Sequence, residues 1–280
     1  MLRRSLIIAT LALATFALGP MFDGSDDAEA QGQPVGWSLP PQAREVAPNV
    51  WFIGTSLSDG VAVEGFAFIH PAVGHAKPTG SPGKGKDKPK DDGDSTPDAS
   101  GCYSFIANGA VWRSLEGYDF YLAGAPTGAT AEVFSGAFGT WEEAAAGADI
   151  VGPGTVGGAA ALVLNESNDV FFGNLGSSTL GVTVVWSTRG GRPSSRIVEA
   201  DIMIDPDWNW QLVQPGGSIA KNALDLKGVI THEVGHYVGL GHTDTSTLCA
   251  AETMYPSIGA GDSSRQSLGL GDRAGINRLY

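Results

Sequence analysis

Apolar positions recur along this chain with two different periods. Phe134, Ala137, Phe138 and Trp141 stand at i, i+3, i+4 and i+7, which predicts a helix over residues 129–146 with one apolar face. Leu226, Ile230, Val234 and Val238 form a second helical stripe, starting near Asp225, a suitable N-cap. Residues 118–125, 159–164 (AAALVL), 180–188 and 196–205 are short apolar runs of strand character. Residues 49–70 hold two such runs around Ser58-Asp59-Gly60, a β-hairpin or two short strands. Residues 243–268 lack a period and are expected to be loop, and 271–280 a short terminal helix. No internal repeat is present.

Composition changes this picture at two places. Residues 74–98 contain five lysines, five aspartates, several Gly and Pro, and no large apolar side chain. Such a stretch cannot bury a core, so 74–100 is expected to be a flexible linker or loop between a small N-terminal β segment (31–73) and a larger domain (101–280). At the start, Arg3 and Arg4 precede thirteen apolar-rich residues, Leu6 to Leu18, and Ala28-Glu29-Ala30 offers a small-x-small cleavage site. The run is short for a membrane span, which needs about 20 residues. Residues 1–30 are therefore expected to be a signal peptide directing secretion, extracellular or periplasmic, with a retained anchor as the alternative.

The chain of 280 residues is acidic, with a net charge of −13. It has no basic stripe, which excludes the usual nucleic-acid and anionic-membrane binders. Cys102 and Cys249 are the two cysteines, and in an exported protein an even count favours a disulfide. The rival reading gives Cys102 as a thiolate held at a metal.

The second helical stripe carries the chemistry. Residues 232–242 read HEVGHYVGLGH, the pattern HExxHxxGxxH. On a helix His232 and His236 project from one face, and both can bind a single Zn²⁺. Glu233 can reach metal-activated water as general base without being a ligand. Gly239 permits a left-handed turn that brings His242 back as the third ligand, leaving one position open, as catalytic zinc requires.

These residues resemble the zinc motif of the metzincin metallopeptidases. Thr253-Met254-Tyr255-Pro256 is similar to the Met-turn of the matrixin branch (M10-type). EADIMID (199–205) resembles the edge strand above the cleft, and LGLGDRAGINRLY (268–280) the closing helix. The resemblance implies an α+β fold: a twisted, mostly parallel sheet with an antiparallel edge strand, an active-site helix, and a short C-terminal subdomain holding the Met-turn and final helix. It implies that Met254 lies beneath the metal and that Tyr255 and Pro256 line the substrate pocket. Matrixins also hold calcium; Asp169, Glu199, Asp201, Asp205 and Asp207 supply oxygens, but no spacing identifies a site. Only His70 and His75 lie outside the motif, too few for a matrixin's structural zinc, and no cysteine-switch motif is present.

The function expected is a secreted zinc endopeptidase with one catalytic Zn²⁺, acting as a monomer on peptide or protein substrates, with no nucleic-acid partner and no membrane contact beyond export. The alternatives are a non-catalytic zinc-containing binding or structural module and a protein that processes only itself.

Overall fold

A computed structural model describes residues 36–72, 99–114, 116–146, 148–157, 160–190, 195–215 and 217–280. The expected signal peptide and the Lys/Asp-rich stretch 74–98 lie outside the described residues. In chain order the elements are β1 (Arg44–Ala47), β2 (Val50–Ser58), β3 (Val61–Pro71), β4 (Ser104–Phe105), β5 (Glu116–Phe120), α1 (Ala131–Ala144), β6 (Val151–Val156), β7 (Asp169–Phe172), β8 (Thr179–Thr188) and β9 (Ile197–Ile204). β10 (Trp210–Gln211), β11 (Leu224–Asp225), α2 (Leu226–Tyr237), β12 (Leu240–Gly241) and α3 (Leu270–Leu279) follow.

Eight strands form one sheet in the order β1-β2-β3-β8-β9-β7-β5-β6. β9, β7, β5 and β6 pair in parallel. β1, β2, β3, β8 and β9 pair antiparallel. The fold is therefore α+β with a mixed sheet rather than a mostly parallel one. Two further expectations are corrected. Residues 199–205 are not an edge: β9 lies between β7 and β8. The antiparallel strand next to it, β8, is not an edge either, because β3 pairs along it from Val63↔Thr188 to Pro71↔Thr179.

The β2–β3 hairpin forms where the sequence predicts it. Ser58 pairs with Val61, and the two intervening residues, Asp59 and Gly60, both have positive φ (48° and 75°). That is the turn whose twist suits a two-residue hairpin, and Asp-Gly is among its preferred sequences. Alternation along β3 then sorts its side chains. Val63 and Ala67 join Ile53, Phe171, Val182, Val184, Trp186 and Met203 on one side of the sheet. Phe66 and Phe68 point to the other side, where α1 and α2 pack.

That second side holds the main core. Phe134, Ala137, Phe138 and Trp141 of α1, the helical stripe read from the sequence, are all buried there. The stripe Leu226, Ile230, Val234 and Val238 is buried too. So is the opposite side of α2: every residue from Gly228 to Tyr237 is buried. Burial all round suits a central helix rather than a surface one. Residues 160–164 of the expected apolar strand do not form one. Leu162 packs instead over the far side of the sheet, and the pairing strand is β7, which follows it.

Candidate metal centre

α2 ends at Tyr237, and Gly239 follows with φ +107°. A side chain there would meet the Ala110 carbonyl at 2.7 Å, so both the backbone conformation and the space call for glycine. The turn leads into β12, which pairs with β4, and Ser104 Oγ donates to the His242 carbonyl at 2.6 Å. His242 is thereby brought back to the helix. His232 and His236 face each other through Nε2 at 3.1 Å, and His236 and His242 through Nε2 at 3.2 Å.

The outer nitrogens fix the tautomers. His232 Nδ1 is 2.5 Å from the Thr253 carbonyl and His236 Nδ1 is 2.8 Å from the Leu240 carbonyl. A carbonyl accepts only, so each Nδ1 carries the proton and each Nε2 turns a lone pair toward the centre. Burial, with the neighbouring histidines adding to it, pushes His232 well below the ordinary imidazole range. Burial likewise takes His236 down to about 4 and His242 well below its usual value. Neutral lone pairs facing one another at such distances repel unless a cation lies between them. Four nitrogens around a tetrahedral Zn²⁺ at about 2.0–2.1 Å stand about 3.4 Å apart, close to the separations here. The donor set fits zinc.

Glu233 is fully buried, and β8 holds it: Thr183 Oγ1 donates to Glu233 Oε2 at 2.5 Å. Gly181 leaves room for this carboxylate, since a side chain there would come within 2.6 Å of Oε1. Met254 lies under the helix with its sulfur against Gly235. Its segment is held by Asp272, whose carboxylate accepts from the Thr253, Met254 and Gly269 amides at 2.6, 3.1 and 2.9 Å. Burial nevertheless pushes Asp272 up to about 6. Cys102 and Cys249 are joined by a disulfide, Cα–Cα 5.4 Å, so Cys102 is not a thiolate at the metal site.

Tyr255 and Pro256 are part-buried on different sides of the site. Tyr255 shares a small gap with His70, His232 and Arg265. Pro256 borders a cleft of about 690 Å³ lined by Phe66, Phe68, Phe105 and His242. Four of the five acidic candidates accept hydrogen bonds from backbone amides. Glu199 accepts from the Asn165 amide, Asp201 from Asp169 N, Asp169 from Ala161 N, and Asp205 from the Leu175 and Asp207 amides; Asp207 itself is exposed.

One residue in the centre was not expected. His70, near the end of β3, is 2% exposed, and one nitrogen from each of His70, His232, His236 and His242 lies within 4.8 Å of the others. The only sequence signal is parity: His70 is on the same face of β3 as Phe66 and Phe68. Which element that face would meet could not be read from the chain.

Among known proteins, the sequence model of the matrixin family matches residues 191–280. Metalloendoproteinase 5-MMP of Arabidopsis thaliana is 34% identical over 83 residues, 28% of this chain and 21% of that protein. Metalloendoproteinase 1-MMP of the same plant is 40% identical over 58 residues, 21% of this chain and 15% of that protein. The matched part thus spans about a fifth or less of these relatives. The match takes in α2, all three motif histidines and the Met254 segment, so residues 191–280 are similar to a matrixin (peptidase M10) domain, with distant similarity to plant matrix metalloproteinases.

Proposed function

We propose that the protein is an exported zinc-dependent endopeptidase, with His232, His236 and His242 as the metal ligands and Glu233 as the catalytic base. The observation that carries this is the convergence of three imidazole lone pairs beside a buried carboxylate on the same helix. Zinc held there supplies a Lewis acid that polarises a peptide carbonyl and acidifies water. Glu233 takes up the proton of the attacking water and delivers it to the leaving amine. Thr183 orients Glu233 through its other carboxylate oxygen, Oε2. The Thr253 and Leu240 carbonyls hold the rings of His232 and His236 in the ligating tautomer. Met254 contributes an apolar floor and no charge. Peptide or protein substrates are the expected partners, and among the described residues no helix is long and apolar enough to cross a membrane.

The test separates binding from chemistry. Glu233→Ala should retain stoichiometric zinc but lose casein cleavage by about 10²–10⁴-fold, the usual cost of removing a general base. His236→Ala should lose the metal itself. Casein cleavage by Glu233→Ala at the rate of an actively cleaving form with Glu233 intact would end this mechanism. A second reading is favoured by one observation: four histidines meet at the centre, and a closed site is the mark of structural zinc. On that reading neither the parent nor any variant cleaves peptides.

A further inference from the structure

Without β1–β3, the strand β8 would be the free edge of the sheet, running beside α2 with Thr183 and Gly181 on Glu233. An extended peptide binds such an edge by adding itself as a strand. Here β3 already does so over Val63–Pro71. It runs past the histidines in register, His70 opposite Gly181, the residue that touches Glu233. Phe68 stacks on the His236 ring at 4.2 Å, and the His70 ring lies 3.9 Å from that of His232.

The polar atoms of His70 demand an explanation. Neither ring nitrogen makes a hydrogen bond among the described residues, although both are buried. Nδ1 lies 3.0 Å from Glu233 Oε1, but out of hydrogen-bonding alignment. An imidazole buried with no aligned hydrogen bond at either nitrogen costs free energy, even with Glu233 Oε1 beside Nδ1. A metal shared with the other three histidines would satisfy one of the two nitrogens. A centre closed by four histidines would in turn leave Glu233 without a task, because a structural site needs no base.

We infer that His70 is the metal's fourth ligand and that β3 occupies the substrate's place on β8, so that the chain as folded here is a latent form of the peptidase. The inference rests on the peptidase reading for its word latent, and on geometry alone for the ligand. Displacing β3 from β8 opens the fourth position and the substrate edge in one movement, and frees Glu233 to act. The ligand that closes the site comes from the N-terminal hairpin, not from a cysteine.

Cobalt-loaded full-length protein tests this without relying on activity. The parent should show the visible spectrum of a four-coordinate all-imidazole site, no fast-exchanging water in proton relaxation, and weak binding of acetohydroxamate. His70→Ala should shift the spectrum, gain exchangeable water and bind acetohydroxamate at least tenfold more tightly. It should also raise cleavage of an unstructured peptide at least tenfold. Identical spectra and hydroxamate affinities for parent and variant would overturn the ligand assignment. Should His70→Ala fail to fold, the parent still decides, because a bound water together with a four-coordinate spectrum is incompatible with four histidine ligands. A shifted spectrum with no peptide cleavage by either protein, even at denaturant concentrations that release β3 from β8, would keep the ligand and discard the peptidase, and with it the latency.

Discussion

Gly235 lies between the two helical ligands and shows how little room the centre has. A methyl group there would come within 2.2 Å of Met254 Sδ and 2.7 Å of Trp141 Cζ2. The Trp141 ring cannot retreat easily, because its Nε1 donates to the Thr231 carbonyl at 2.8 Å. Gly235→Ala should therefore cost about 1–3 kcal/mol by overpacking, despite alanine's better helix propensity. It should also weaken zinc retention against a chelator, since the helix must shift at His232 or His236. An unchanged melting temperature would show that Met254 and Trp141 can give way. Asp272 is the other sensitive residue: Asp272→Ala strands the buried Thr253 and Met254 amides, at about 1–3 kcal/mol each. Thermal unfolding should show the loss, and Asp272→Asn should recover part of it through its remaining carbonyl.

Among the elements, β9 carries an electrostatic liability. Burial pushes Glu199 from its ordinary 4.5 up to about 7, against the opposing pull of the Asn165 and Glu166 amides. The folded chain therefore holds this proton where the unfolded chain has released it. Its contribution to stability is complete below about 4.5 and is lost as pH rises toward 7. Denaturant titrations across that window should show Glu199→Gln with a flatter pH dependence than the parent; equal slopes would mean that the carboxylate titrates normally. The elements also differ in how far the chain announces them. The hairpin turn Asp59-Gly60, α1, α2, α3, β8 and β9 were legible because each has its own period or turn chemistry. β6, with Gly152, Pro153 and Gly154, has no strand signature and exists because β5 offers it a partner. The run 159–164 looked like a strand because short apolar stretches carry no period, and Leu162 in fact serves by packing. Within the centre, the spacing of one short motif placed three histidines and Glu233. His70 stayed hidden because it meets them only through a long-range pairing with β8.

Across the whole molecule, the disulfide joins the segment before β4 to the loop between His242 and Met254. It spans 147 residues, for which chain entropy alone gives about 5 kcal/mol. The same loop returns through Thr243 N, which donates to the Met254 carbonyl at 3.0 Å. Reduction should therefore lower the unfolding midpoint and speed loss of zinc to a chelator. If reduced and oxidised protein release zinc at one rate, the bond supports the fold without supporting the centre.

The pairing of β3 with β8 also decides where the sheet stops. Its outer strands are β1, four exposed residues with Arg44, Glu45 and an irregular register, and β6, interrupted by Pro153. Short, charged or proline-bearing borders make poor templates for a foreign chain. β8 is the opposite kind of strand, ten residues long with Val182, Val184, Val185 and Trp186. While β3 covers it, no such border of the eight-stranded sheet faces solvent among the described residues. Once the hairpin has left, the molecule displays a long apolar border suited to recruiting its own kind, and only a peptide lying on β8 conceals it. Opened protein should therefore scatter light increasingly with concentration, and a non-cleavable extended peptide should keep it dispersed.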